Sequence, residues 1–243
     1  MNLQGKTVLV TGGGSGIGQG VALALAREGC RVAIAGRDER KLQATAAEFA
    51  GEPGILVRAC DVGNRADVER LFGWIDEQLG PLDILVNSAG VNVPNRKFSD
   101  LDPDAWDRIL QINATGAFNC IYAALPGMRK RQNGLIVNIS SVAGKRASKL
   151  AGAPYAASKF AMTALGTAVS LEERANGIHV TNIYPGEVNT PILSQRPTPV
   201  PPERIAQMLM PEDIAALVVT VAKLPPRAVV PEIVVTPLYQ DYA

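Results

Sequence analysis

The sequence predicts an α/β protein built around one parallel sheet with helices on both faces. Three observations carry that expectation. Short apolar runs rich in β-branched residues alternate with longer helical patterns along the 243-residue chain. The intervals between runs are long enough for the helical crossovers that parallel strands need. A glycine cluster, Gly12-Gly13-Gly14-Ser15-Gly16-Ile17-Gly18, stands where the first run gives way to the first helical pattern.

Taken in order, Val8–Val10 is the first strand candidate and a helical pattern begins near Gly16. Arg31–Ala35 predicts the second strand, with a helix starting near Arg37, and Ile55–Val57 the third, with a helix near Arg65. After the fourth strand, Asp83–Val86, the pair Asp102-Pro103 reads as an N-cap followed by proline at the first helical position. Leu135–Ile139 is the fifth strand and a helix follows near Tyr155; Ile178–Ile183 is the sixth. The stretch from Arg196 to Pro202 is rich in proline, which fixes φ and removes backbone donors, so an exposed, semi-rigid connection is expected there. It falls within residues 186–210, expected to form a substrate-side lid. A last helix near Pro211 leads to the seventh strand, Glu232–Val235. Six helices between seven strands, without a second alternation or a biased linker, predict a single domain over 1–243.

Composition narrows the function. With 24 basic and 23 acidic side chains the formal charge is +1, which offers no electrostatic attraction to nucleic acid or an anionic membrane. The basic run Arg129-Lys130-Arg131 reads as a solvent-facing helix end. No uncharged apolar stretch reaches the roughly eighteen residues that span a bilayer, and the first residues lack the apolar centre of a signal peptide. Cys30, Cys60 and Cys120 lie far apart without a companion at metal-ligand spacing, so no metal and a reduced, cytoplasmic setting are expected.

Two motifs carry chemistry. Between a strand and a helix, Gly12, Gly16 and Gly18 let the backbone approach a pyrophosphate at the helix N-terminus. The spacing is that of a bound cofactor and not of the lysine-containing loop that holds a hydrolysed triphosphate. Farther on, Tyr155 and Lys159 share one helix face. A tyrosine titrates near 10 when unperturbed, so proton transfer at neutral pH needs a neighbouring positive charge, and Lys159 supplies one.

With Asn87-Ser-Ala-Gly90, Asn113, Ser141 and Pro185-Gly186 in the expected order, the chain resembles the short-chain dehydrogenase/reductase family over residues 4–236. One departure stands out: Ser141 and Tyr155 are fourteen positions apart, one more than is common in the family, which is expected to reshape the pocket wall. The resemblance implies a doubly wound, Rossmann-type sheet of order 3-2-1-4-5-6-7 with its site at the C-terminal strand ends.

It also implies roles. Tyr155 is the acid/base, Ser141 holds the substrate oxygen, and Asn113 sits in a helix and holds a water linking Lys159 to solvent. Gly12, Gly14, Ser15, Gly16, Ile17 and Gly18 cradle the cofactor; Asp61 and Val62 lie beside adenine; Asn87, Ala89 and Gly90 line the sheet edge beneath it. Pro185, Gly186, Val188 and Thr190 lie near the nicotinamide, and Tyr155 and Lys159 also touch the cofactor. Gly36 replaces the acid of NAD-preferring members, and Arg37 suits a 2′-phosphate, so NADP(H) is expected over NAD(H), although Asp38 could tether Arg37 instead. Val91, Asn92, Val142, Lys149, Glu187 and Ile192 are candidate substrate-pocket residues. His179 falls at the wrong end of the sixth strand for catalysis.

The implied reaction interconverts a ketone or aldehyde with an alcohol. A non-catalytic NADP(H)-binding protein and a nicotinamide-using epimerase or dehydratase stand as alternatives. Apolar residues on the helices around Trp106, Ile109, Leu110, Phe118, Ile121 and Leu125, and around Phe160 and Leu165, together with the resemblance, predict a homodimer or homotetramer.

Overall fold

Seven strands pair in parallel in the order β3-β2-β1-β4-β5-β6-β7. They are β1 Thr7–Thr11, β2 Arg31–Gly36, β3 Leu56–Ala59, β4 Ile84–Asn87, β5 Gly134–Ile139, β6 Ile178–Pro185 and β7 Glu232–Val235, in a computed structural model that describes residues 2–242. The expected strands and the expected order are both present. The helices are α1 Gly16–Arg27, α2 Glu39–Ala47, α3 Arg65–Gln78, α4 Pro103–Leu110, α5 Gly116–Arg131, α6 Ala153–Glu173, α7 Pro202–Ile205 and α8 Pro211–Lys223.

Alternating strand residues feed two cores. Val8, Val10, Ile34, Val86, Ile139 and Ile183 pack with Val21, Leu25, Ile214 and Val218 of α1 and α8. Leu9, Ala33, Leu85, Ile136 and Val180 face the other way, onto Val68, Leu71 and Ile75 of α3 and Cys120 and Ile121 of α5. Both faces are therefore covered, which is why these strands read as continuous apolar runs. Because β1 pairs with both β2 and β4, the order reverses there and a crevice opens at the C-terminal strand ends.

A polar ladder crosses this buried sheet. Asn87, Asn138 and Asn182 stand in register on β4, β5 and β6, with Asn87 Nδ2 donating to Asn138 Oδ1 and Asn138 Nδ2 to Asn182 Oδ1, both at 3.0 Å. A Cβ at Gly166 of α6 would overlap the Asn182 side chain, so that glycine lets α6 lie directly on the ladder.

Several boundaries differ from expectation for identifiable reasons. The second helix starts at Glu39, not near Arg37, because Asp38 is its N-cap and accepts from the Lys41 amide. The helix expected from Tyr155 begins at Ala153, after Gly152 turns the chain at φ +78°. Asn113 lies in a π-helical turn, Gln111–Thr115, joining α4 to α5. The proline-rich connection ends in the short helix α7, as proline at an N-terminal helical position permits. Among the described residues no helix is long and apolar enough to cross a membrane.

Candidate active site

The glycine turn is shaped by close approach. A Cβ on Gly12, at φ +68°, would lie 2.8 Å from the Ala89 Cα, and one on Gly18 would overlap the Gly12 carbonyl. Thr11 Oγ1 accepts from the Ser88 and Ala89 amides at 3.1 and 3.2 Å, locking the ends of β1 and β4 together. Ser15 is the N-cap of α1, yet its side chain caps nothing and the first turn holds no acid. The helix N-terminus instead opens on a cavity of about 610 Å³ lined by Ser15, Gly16, Ile17 and Gly18. Unsatisfied amides and the positive helix end suit a diphosphate, so these residues fit the expected dinucleotide.

A smaller adjoining cavity of about 190 Å³ is lined by Gly14, Gly36, Asp61, Val62 and Ala89. Arg37 and Lys41 line both cavities and are exposed. Asp38 caps α2 and pairs with Lys41 at 4.0 Å, not with Arg37, so the feared tether is absent among the described residues. Lys41 was not anticipated; a basic residue in the first turn after the Arg37 position was the available signal. Asn87 lines neither cavity, because its side chain belongs to the ladder.

At the other end of the large cavity stand Ser141, Tyr155 and Lys159. The two adjacent serines separate as strand geometry requires: Ser140 Oγ donates to the Lys159 carbonyl at 3.2 Å, while Ser141 lines the cavity with Tyr155 and its Oγ accepts from the Ala143 amide at 3.1 Å. Burial pushes the Tyr155 phenol above its ordinary pKa, and the Ser141 hydroxyl and the nearby Arg96 charge oppose that rise. Lys159 is only 3% exposed, and burial lowers its pKa to about 8. Its Nζ donates to the Ile139 carbonyl at 2.8 Å and lies 5.7 Å from the Tyr155 ring centre.

Asn113 accepts from the Val91 amide at 2.8 Å and donates to the Val91 carbonyl and Ser158 Oγ, each at 3.0 Å. Its Oδ1 and the Lys159 Nζ are each 3.6 Å from where a Gly90 Cβ would sit, so the missing side chain leaves space between them.

A family model for short chain dehydrogenases matches residues 6–200, which take in this whole constellation. The chain belongs to the short-chain dehydrogenase family. It is 35% identical to an uncharacterized oxidoreductase of Staphylococcus aureus strain MW2, over 97% of this chain and 99% of that one. Among solved structures it resembles an alcohol dehydrogenase of Thermococcus sibiricus complexed with 5-hydroxy-NADP, at TM-score 0.87 and 26% identity over 97% and 98% of the two chains. A 3-ketoacyl-(acyl-carrier-protein) reductase of Brucella melitensis complexed with NADH matches with the same TM-score of 0.87, identity of 26% and coverages of 97% and 98%.

Val91, Asn92, Val142 and Ile192, expected at the substrate, and Pro185, Gly186, Val188 and Thr190, expected at the nicotinamide, all line the cavity. Lys149 does not: Ser148, Leu150 and Ala151 line it, while Lys149 is exposed, its flexible cationic side chain turned to water. Glu187 lines the cavity, but its carboxylate is already occupied, bonding Arg196 at 2.9 Å, Arg204 at 3.0 Å and the Tyr239 hydroxyl at 2.6 Å. Burial would raise its pKa, and the bonds from Tyr239, Arg204 and Arg196 outweigh this and hold it below the usual carboxylate value. The C-terminal tail also contributes Gln240, which lines the cavity and accepts from the Glu187 amide at 2.9 Å. Neither Gln240 nor the buried Arg96 was legible beforehand.

The three cysteines are buried, with the thiols of Cys30 and Cys60 pushed by burial to about 11 and about 12. No cluster of potential metal ligands occurs among the described residues.

Proposed function

We propose that this dehydrogenase interconverts a ketone or aldehyde with an alcohol using NADP(H), with Tyr155 as acid/base. The observation that carries the proposal is the convergence of Ser141, Tyr155 and buried Lys159 on the cavity onto which the uncapped N-terminus of α1 opens. Bound NADPH supplies the hydride that adds to the carbonyl carbon, and NADP+ takes it back in the reverse direction. Ser141 holds the substrate oxygen and favours the charge that develops on it. Tyr155 delivers its phenolic proton to that oxygen, completing the alcohol, and recovers the proton from the alcohol in the oxidative direction. Lys159 supports the transient tyrosinate, and a water in the gap beside Gly90, between Asn113 and Lys159, replenishes the proton.

Arg37 and Lys41 favour the 2′-phosphate of NADP(H), since Asp38 is engaged with α2 and leaves Arg37 available. The chain acts as one catalytic unit in which 186–210 forms the lid, and its buried thiols suit a reducing cytoplasm. A homodimer or homotetramer is proposed from the stacked, exposed Phe118 and Tyr122 of α5 and the exposed Phe160 and Leu171 of α6. Sedimentation as a monomer would remove that part.

The reaction is tested by following NADPH absorbance against a panel of carbonyl compounds, first with wild type and then with Tyr155→Phe. The variant should lose about 10²–10⁴-fold in turnover while still binding cofactor. Near-wild-type turnover would remove Tyr155 from its role. Cofactor binding with no net oxidation by any carbonyl would favour a sensing protein or an epimerase instead.

A further inference from the structure

The cavity wall carries an excess of positive charge that the proposed reaction does not use. Arg37, Lys41, Arg96, Arg108, Lys159 and Arg196 line it against a single carboxylate, Glu187. Arg37 and Lys41 lie at the phosphate end, and Arg196 is neutralised by Glu187 at 2.9 Å. Arg96 is different in kind. It is 6% exposed and has no carboxylate partner among the described residues.

Its position is fixed from several sides. Nε donates to the Val93 carbonyl and Nη1 to the Leu150 carbonyl, each at 2.8 Å, and Nη2 donates to the Gln195 carbonyl. Its aliphatic stem lies against Gly152, the N-cap of α6, where a Cβ would come within 2.7 Å of the Arg96 Cβ. Tyr155 follows in the first turn of that helix. A guanidinium has five N–H donors, so two remain after these three bonds. A buried cation without a counterion is unfavourable, and here it faces a cavity it shares with the proposed acid/base. Three neutral carbonyls hold the group in place without cancelling its charge, which is the arrangement of a preorganised anion receptor.

We propose that Arg96 recognises a carboxylate on the substrate, so that the carbonyl compound is an oxo acid and its alcohol a hydroxy acid. The inference rests on the redox reading above and specifies its substrate class. Two free donors match the two oxygens of a carboxylate. Arg96 also joins the Val91–Arg96 segment, the Ser148–Ala151 loop and the lid, so carboxylate binding and closure of the pocket share one group.

The test pairs 2-oxobutanoate, 3-oxobutanoate and 4-oxopentanoate with their methyl esters, using NADPH and wild-type protein, with hydroxyacetone phosphate as a separate arm. At least one acid should exceed its ester in kcat/KM by about tenfold or more, the effect of a charge-assisted bond. That ratio should collapse toward one in Arg96→Met and recover partly in Arg96→Lys. An ester preference in every pair, an unchanged ratio in R96M, or a preference for the phosphate would each overturn the proposal. Should R96M fail to fold, the wild-type ratio and R96K decide.

A second measurement does not depend on turnover. Calorimetric titration of butanoate into NADP+-loaded protein should show binding weakened about tenfold or more in R96M. If no carbonyl compound is reduced but this Arg96-dependent binding holds, the redox reading fails and the carboxylate site stands. If neutral ketones are reduced through Tyr155 while butanoate binds equally to both proteins, the redox reading stands and the carboxylate site fails.

Discussion

The two ends of the cavity are built by opposite means. The end proposed for the cofactor phosphates is made of backbone: glycines whose missing side chains admit Ala89, Gly12 and Thr190, and the bare N-terminus of α1. The end proposed for the substrate is made of side chains that reach across long stretches of chain. Arg96 bonds Gln195, 99 positions away, and Glu187 bonds Tyr239, 52 positions away. A backbone cradle is encoded in a few consecutive residues and tolerates little change. A side-chain enclosure can be rewired one contact at a time, which is how one scaffold comes to serve different substrates.

Lys159 lies where the two constructions meet and should show the largest effect. Lys159→Met should lower turnover by about 10²–10⁴-fold, as for loss of other proton-relay groups. The same change should stabilise the cofactor-free protein at neutral pH. Burial lowers the Lys159 pKa from 10.5 to about 8, so below pH 8 the ammonium is charged in both folded and unfolded states and the whole burial penalty applies. That penalty is about 3 kcal/mol, offset by about 1 kcal/mol for the lost bond to Ile139. Between pH 8 and 10.5 the unfolded state binds more protons, so wild-type stability should rise and the advantage of K159M should disappear. Denaturant unfolding at pH 7 and pH 10 checks this; a variant less stable at pH 7 than wild type would sink it.

The same contrast explains what could be read in advance. Strand Glu232–Val235 was anticipated to the residue, and the glycine turn, Ser141, Tyr155 and Lys159 all meet at one cavity, because periodicity and short motifs are local signals. Arg96 is not legible in the sequence because nothing adjacent to it distinguishes a buried arginine from a surface one; two of its three carbonyl partners come from residues 150 and 195. Lys149 faces solvent, and Glu187 lines the cavity with its carboxylate already engaged, for the same reason. Whether a loop residue faces cavity, solvent or a distant arginine depends on how several loops close together. The start of α2 lies two residues beyond Arg37 because the Asp38 side chain caps the helix there.

At the phosphate end, Arg37→Ala should weaken NADP(H) by about 1–3 kcal/mol while changing NAD(H) far less. Paired cofactor titrations measure this. If Lys41 shares the phosphate, Arg37→Ala should fall at the low end of that range and the double variant with Lys41→Ala should exceed it. Equal affinity of the wild type for both cofactors would remove the phosphate assignment and return attention to Asp38.

The smallest effect is expected where the tail meets the lid. Tyr239→Phe removes the hydroxyl that donates to Glu187 Oε2 at 2.6 Å but keeps the ring under the Arg204 guanidinium, 4.0 Å from its centre. Glu187 retains Arg196 and Arg204, so its charge stays compensated and global stability should fall by only about 1 kcal/mol. The consequence for function is more specific. Gln240 lines the large cavity from the residue after Tyr239, so loosening the tail should raise KM for substrate by a few fold and change cofactor affinity less, because among the described residues no tail residue lines the smaller cavity beside Arg37 and Asp61. Steady-state kinetics beside a cofactor titration separate the two. A loss of cofactor affinity equal to the rise in KM would mean that the side-chain enclosure and the backbone cradle are mechanically coupled, and that the division between the two ends of the cavity does not hold.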